Sequence, residues 1–452
     1  MAKLAQQSVP QVQTNKMPAW YVLAWNSRAL SVAIGTVVLM QLTYYSTEVA
    51  GLGAALVGTL FLASKILDGF TDLIAGFIID KTNTRLGKGR PYELFIIPMW
   101  VFIVFLFSTP DMGETGKIVY IFVFYALINS VCTTFLNAAE TVFMGRAIDS
   151  DEGRGKIMAI GGVIIMLVSA VSSMILPQLM KSWGAEPGGW TKIALVYAIP
   201  MMAIGMVRFI VIKEKKPDGG TVTGGKIAFV DNMKLVVKNK YLFIFILLVL
   251  LSNLTTYMIS ITGSYYFRFV IGNLGMMSMI GMMGLLGPFL FLLFPVALRK
   301  MGSIGFVRIG FIVAAIASAI RFFFPDNMPI LMVSNMLGGV GITSITMINH
   351  FFLLQCVEYG ELKTGKRIEG TPAAMNGFAG KLGSALASGG VGFIMAAFGY
   401  VSTGATQPES ALLSIRLLYS IIPAIVCAIM LIILHFFDVE KVLKTMRKEK
   451  VA

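Results

Sequence analysis

Lys65, Asp68 and Asp72 interrupt a largely apolar run between residues 54 and 80. An ionisable group in the middle of a membrane costs roughly 2.5–3.5 kcal/mol or more, so each of the three needs a partner or a task. Asp68 and Asp72 are four residues apart, which puts them on one face of a helix about one turn apart, within reach of one small ion, with Thr71 beside them. Two carboxylates this close repel in a low dielectric unless a cation such as Na⁺, Li⁺ or H⁺ neutralises them. A permanent ion pair with Lys65, or with Lys381, is the structural alternative. Lys381, in the stretch Ala379-Gly380-Lys381-Leu382-Gly383, is the strongly basic residue well inside the later apolar runs. If it faces the acids, a bound cation competes with the lysine for them, and ion binding is linked to conformation.

A second group follows in the fourth apolar run: Thr133, Thr134, Asn137 and Glu140. Thr134 or Asn137 suits an oxygen cage for a cation, and Glu140 either joins the coupling residues or holds the Arg146 region. The first run offers Trp25, Asn26, Arg28 and Tyr44. Amides, hydroxyls and aromatic faces are what a sugar requires, and Arg28 would suit a carboxylate or sulfonate on it. Snorkelling of Arg28 to the membrane surface is the competing reading. The candidate substrate-binding set is therefore Trp25, Asn26, Arg28, Tyr44, Asn137 and Lys381. The cation set is Asp68, Asp72, Thr71, Thr134 and Asn137, with Asp68 and Asp72 the metal ligands if the ion is sodium. The coupling set is Lys65, Lys381 and Glu140.

The elements that must position these residues follow from composition. Of 452 residues, 56% are hydrophobic and 13% charged, and the mean hydropathy is +0.79, which places the chain in the membrane. Apolar runs near 22–47, 54–80, 92–109, 118–145, 157–180, 193–212, 242–269, 274–298, 304–324, 329–356, 373–398 and 413–437 each have the length of a spanning helix. The expectation is an all-α polytopic protein of twelve transmembrane helices in two six-helix bundles. Residues 1–212 form the first bundle, 213–240 a cytoplasmic linker, and 241–452 the second bundle with a cytoplasmic tail. The net charge of +14 reports orientation rather than nucleic-acid binding. Basic residues crowd the tails and alternate connections, whereas Lys117, Lys181, Lys192 and Arg268 lie in the opposite ones. Both termini are expected in the cytoplasm, in a cell inner membrane. Cys132, Cys356 and Cys427 fall inside apolar runs and imply neither a disulfide framework nor a metal site. Zinc-ligand spacing, a Gly-x-Ser-x-Gly elbow and a Walker loop are absent from the sequence, so neither an enzyme nor an ATP-driven pump is expected, and no cofactor beyond the coupling ion, Na⁺ or H⁺.

Three segments resemble the glycoside-pentoside-hexuronide:cation symporter family of the major facilitator superfamily. The first runs from Tyr44 through Glu48 to Leu52. The second runs from Lys65 through Asp68, Asp72, Gly76 and Arg85 to Gly87-Lys88-Gly89-Arg90-Pro91. The third runs from Glu358-Tyr359-Gly360 to Glu369-Gly370. The resemblance implies that Asp68 and Asp72 fall on the family's cation-binding acids, Thr71 on an adjacent ligand, Lys65 on its basic neighbour and Lys381 on its helix-eleven lysine. Thr134 falls close to the helix-four ligand. Departures accompany it: residues 1–47 contain no Asp or Glu, so the carboxylate by which galactoside-carrying members grip their sugar is missing. Leu136 or Asn137 replaces a further helix-four acid, and Leu73 stands where proline is usual. The function implied is uptake of a sugar or glycoside, with an anionic sugar open, in symport with Na⁺ or H⁺ by a monomer in a lipid bilayer. A carrier of amphiphiles such as lysolipids and a non-transporting receptor are the competing functions.

Overall fold

The computed structural model describes residues 18–82, 84–148, 151–214, 239–285, 287–365 and 370–451. Among them the regular elements are all helical. An apolar solvent dictates this, because a helix satisfies its backbone hydrogen bonds within one segment. From the amino end, α1 (Ala19–Leu39) and the short α2 (Leu42–Glu48) precede α3 (Ala54–Lys81). A 3₁₀ turn, Arg90–Phe95, leads into α4 (Ile96–Leu106). Next, α5 (Glu114–Ala126) passes through a π-helical turn, Leu127–Thr133, into α6 (Thr134–Ala147), followed by α7 (Asp151–Trp183) and α8 (Gly189–Val211). The later half holds α9 (Lys240–Tyr265), α10 (Met277–Gly284), α11 (Gly287–Phe323), α12 (Met328–Met347), α13 (Asn349–Thr364), α14 (Gly370–Ala397), α15 (Glu409–Arg416), α16 (Ile422–His435) and α17 (Val439–Val451).

Nine helical stretches among the described residues are long and apolar enough to cross a membrane. The expected spans at 54–80, 92–109 and 274–298 do not qualify as single apolar helices. The first carries the three charges, and the second begins in the 3₁₀ turn. Other boundaries also differ. The span expected at 22–47 divides at Met40–Gln41, and that at 329–356 divides at Ile348. Gly302, at φ 69° and ψ 169°, turns the chain sharply within α11, which joins two expected spans. Most of the expected 213–240 linker lies outside the described residues, as do residues 1–17, Asp149 and residues 366–369.

Glycines set the closest approaches. A Cβ on Gly383 of α14 would lie 2.4 Å from the Leu250 carbonyl of α9, and one on Gly392 would lie 2.3 Å from the Ala54 carbonyl of α3. Helix α14 is thus wedged between a helix of its own half and one of the other, as small residues permit in membranes. At the α2 end of the molecule the halves meet through polar side chains. Arg268 Nη1 reaches Glu48 Oε2 and the Tyr44 hydroxyl, both at 2.8 Å. Tyr400 donates to the other oxygen of Glu48. Thr47 and Tyr265 hydroxyls are 2.8 Å apart, and Ser402 donates to the Leu52 carbonyl at 2.8 Å.

At the opposite end of the first half, the carboxylate of Glu214 accepts the backbone N–H groups of Lys88, Gly89 and Arg90 at 2.9–3.0 Å, and Arg146 pairs with it at 3.1 Å. A side chain at Gly87 would strike Glu214, and the backbone there has φ 119°, so only glycine fits.

A buried ion cluster holds the first half together. Arg28 of α1 pairs with Glu140 of α6 and lies 3.8 Å from Glu93. Arg208 of α8 lies 2.6 Å from Glu140 and 3.6 Å from Glu93, with its guanidinium 3.9 Å from the Trp25 ring centroid. Two positive and two negative groups from four segments of the chain cancel there. Removing one carboxylate strands a buried guanidinium, a loss of about 3–5 kcal/mol. Glu140→Ala should therefore lower the thermal midpoint of the purified protein by several degrees, whereas removing the exposed partner in the Lys192–Glu186 pair should shift it little.

Candidate functional site

A cavity of about 320 Å³ opens between α1, α3, α5–α6, α9 and α14. Its polar wall includes Lys65, Asp68, Asn137, Asn253, Tyr257 and Lys381, and Leu39, Phe61 and Ile261 supply apolar surface. An apolar vessel with a few convergent polar groups is the usual form of a small-molecule site. The two acids stand on α3, whose residues 65, 68 and 72 face inward toward α6 and α14. Lys65 Nζ lies 3.2 Å from Asp68 Oδ2 and over the Tyr125 ring at 5.7 Å. Ser130 donates to the other oxygen of Asp68. Asp72 accepts from Thr134 Oγ1 at 2.8 Å and is bridged by Lys381 from α14. Each acid thus holds one hydroxyl and one lysine, and the Lys381–Asp72 bridge joins the two halves of the chain.

Among the described residues, no three His, Cys, Asp or Glu gather as a metal would require. A cation bound here would take the remainder of its ligands from hydroxyls, amides, carbonyls or water. Thr71 lies beside the acids but spends its hydroxyl proton on the Asp68 carbonyl of its own helix at 3.1 Å. Thr134, Asn137 and Lys381 line the cavity, and Thr133 lies beside them.

Four residues expected at the sugar site lie elsewhere. Arg28 neither snorkels nor faces the cavity; it is 3% exposed and committed to Glu140 and Glu93. Trp25 donates its indole N–H to Glu140 at 3.3 Å and stacks on Arg208. Asn26 donates to the carbonyls of Val22 and Ile157 and fits against Gly161 of α7. Tyr44 belongs to the contact between halves around Arg268 and Glu48. Each was misplaced for one physical reason: its partners come from distant segments that compete with solvent and substrate for its polar atoms. Glu140, expected among the coupling residues, is held by the two arginines, and its bond to Trp25 keeps it in the same cluster.

The cavity wall also includes residues that sequence reasoning did not single out, Asn129, Asn253, Tyr257 and Ser388, and the buried Ser130 donates to Asp68. The π-helical turn Leu127–Thr133 inserts an extra residue into the α5–α6 path and thereby re-aims Ser130 and Thr134 toward α3. A signal was available, because Ser130 and Thr134 repeat the four-residue spacing of Asp68 and Asp72. A second hollow, of about 820 Å³, lies between α13 and the terminal α17, with His350, Glu358, Lys444 and Arg447 in its wall. Arg447 and Glu358 close over it in a two-pronged pair at 2.6–2.7 Å.

Comparison with known proteins follows the geometry. The family described as MFS/sugar transport protein matches residues 28–441. The chain is 28% identical to the isoprimeverose transporter of Lactiplantibacillus pentosus, over 90% of this chain and 86% of that protein. It is 25% identical to the glucuronide carrier protein homolog of Escherichia coli (strain K12), over 88% of this chain and 87% of that one. Among solved structures, a bacterial homolog of the human lysosomal transporter Spinster, in an inward-facing and unoccupied conformation, superposes with a TM-score of 0.66 at 11% identity, covering 94% of this chain and 98% of that one. The match runs across both halves and includes every helix that walls the cavity: this chain belongs to the MFS/sugar transport protein family of membrane transporters.

Proposed function

We propose that this chain is a secondary active importer that carries a sugar or glycoside together with a monovalent cation, and that the preferred sugar bears one acidic group. The observation that carries the reading is the pairing beside the cavity, Lys65 with Asp68 in its wall and the wall residue Lys381 with Asp72 behind it. Such pairs are stable without ligand because burial of either charge alone is costly. A cation entering between the carboxylates competes with the lysines, and each lysine it displaces turns toward the cavity. Two lysines and two aspartates cancel; adding one cation leaves one positive charge to be met. A carboxylate or sulfonate on the sugar meets it. Neutral groups beside it, Asn137, Asn253 and Tyr257 among them, suit sugar hydroxyls and a ring face. The charged pairs on the cavity side of α3 and α14 disfavour the amphiphile reading, which has no use for them.

Twelve spans with both termini in the cytoplasm fit this reading, with the three charge-bearing or broken segments completing the nine long helices. On that orientation the Glu48–Arg268–Tyr400 contact closes the outer end, and Lys381–Asp72 lies toward the inner end. Access alternates when one end opens as the other closes, and a cation that weakens the Lys381–Asp72 bridge acts on that balance through differential affinity.

Two outcomes test the reading. In proteoliposomes, Asp68→Asn and Asp72→Asn should each lose gradient-driven accumulation at least about tenfold while substrate exchange persists, and acidic sugars should outcompete their neutral counterparts. Full accumulation in both variants, or equal competition, would reject it. Separately, Arg268→Ala should raise the labelling rate of a Thr43→Cys reporter from the outer side by about tenfold or more, because truncating one member of a buried charge pair releases well over ~1.4 kcal/mol of closure. Unchanged labelling would remove Glu48 and Arg268 from the outer closure.

A further inference from the structure

Ser64, Asp68 and Asp72 are spaced by four residues along α3 and therefore share one face of that helix. Ser130 and Thr134 have the same spacing on the opposing segment. The two ladders match rung by rung: Ser130 donates to Asp68, and Thr134 donates to Asp72 at 2.8 Å. Ser64 is the rung without a mate. It is fully buried, and its hydroxyl has no hydrogen-bond partner among the described residues. Hydroxyls in these helices ordinarily bond the carbonyl one turn back, as Thr36, Thr59 and Thr255 do. Ser64 does not, and a buried hydroxyl left unpaired calls for an explanation. Its place, one turn from a carboxylate that already holds a second serine, supplies one.

Resting on the symport reading above, we propose that Ser64 and Ser130 provide neutral oxygen ligands around Asp68 for the coupling ion, and that this ion is Na⁺ or Li⁺ rather than a proton alone. A proton needs a single carboxylate oxygen. An alkali ion leaving water must regain several oxygens, and hydroxyls supply them without adding charge. Each serine oxygen carries two lone pairs. Ser64 has not committed its hydroxyl, and Ser130 need only rotate its hydroxyl hydrogen away from Asp68 to present a lone pair. Lys65 leaves Asp68 in the same step, and Thr134 plays the equivalent part at Asp72. No bond to hydrogen is broken, and one positive charge replaces another at the carboxylate.

The test uses the full-length protein without sugar, following thermal stability during titration with NaCl or LiCl, with choline chloride holding ionic strength constant. Saturable stabilisation by Na⁺ or Li⁺ but not choline is expected. Ser64→Ala and Ser130→Ala should each raise the half-saturating concentration about tenfold or more and change the Na⁺ to Li⁺ ratio, while in choline Ser64→Ala keeps the stability of the unmodified protein and Ser130→Ala falls below it, having lost its bond to Asp68. Ser130→Thr, which keeps the hydroxyl, should restore binding. Absence of any alkali response in the unmodified protein, or unaltered half-saturation in both alanine variants, overturns the inference. Asp68→Asn separates the two levels: loss of the response there alone leaves the symport site standing without its serines, whereas a full response in Asp68→Asn removes Asp68 from the site altogether.

Discussion

A charge in the interior of a helix bundle must be cancelled where it stands, and most of what is distinctive in this molecule follows from how that is done. The first half cancels Arg28 and Arg208 with Glu93 and Glu140, three of the four groups being buried and Glu140 partly exposed. Asp68 and Asp72 are cancelled by Lys65 and Lys381, and Lys65, Asp68 and Lys381 line a cavity. The chemistry is the same in the two places, and the cavity beside the second set distinguishes them. On the proposed reading, the second set is the one that exchanges a lysine for a mobile ion.

The fold places these two sets on the same helices without mixing them. Helix α1 holds Arg28 in the cluster and, about two to three turns later, lines the cavity with Thr36 and Leu39. The segment α5–α6 carries Ser130 and Thr134 to the two aspartates and Glu140 to the cluster. Helix α14 belongs to the later half, yet glycine contacts bring its backbone against α3, so Lys381 reaches an acid of the other half. A fold in which the halves touched through bulky side chains there would hold the lysine out of reach.

The sequence made part of this legible. Lys65, Asp68, Asp72 and Lys381 stood out because a charge within an apolar run is rare and costly, and in the structure they form two ion pairs, with Lys65, Asp68 and Lys381 in the wall of one cavity. The same rule flagged Arg28 but could not tell where its partners were, since Glu93, Glu140 and Arg208 come from three other segments. The cost of burial identifies which residues need partners, not which partners they find. Ser64 and Ser130 escaped notice for the opposite reason. A hydroxyl costs little in a helix because it can fold back on its own backbone, so the burial rule passes over it and the one mark Ser130 carries is its four-residue spacing from Thr134. The π-helical turn at Leu127–Thr133 shifts the register that a simple helical wheel would assign to Ser130. The helix breaks at Met40–Gln41 and Ile348 leave as little trace, because neither glycine nor proline stands at them.

The cancellation in the cavity also bears on voltage. On the proposed cycle the unloaded carrier returns with two lysines and two aspartates, a neutral set, so the membrane field does no work on the returning charges. A field of 100 mV acts on one elementary charge with about 2.3 kcal/mol, and here that lever is available only to the loaded step. With one cation and one singly acidic sugar aboard, the loaded step is neutral as well, and accumulation draws on the chemical gradient of the ion instead of the electrical one. A neutral sugar in the same pocket would make each turnover carry a net charge.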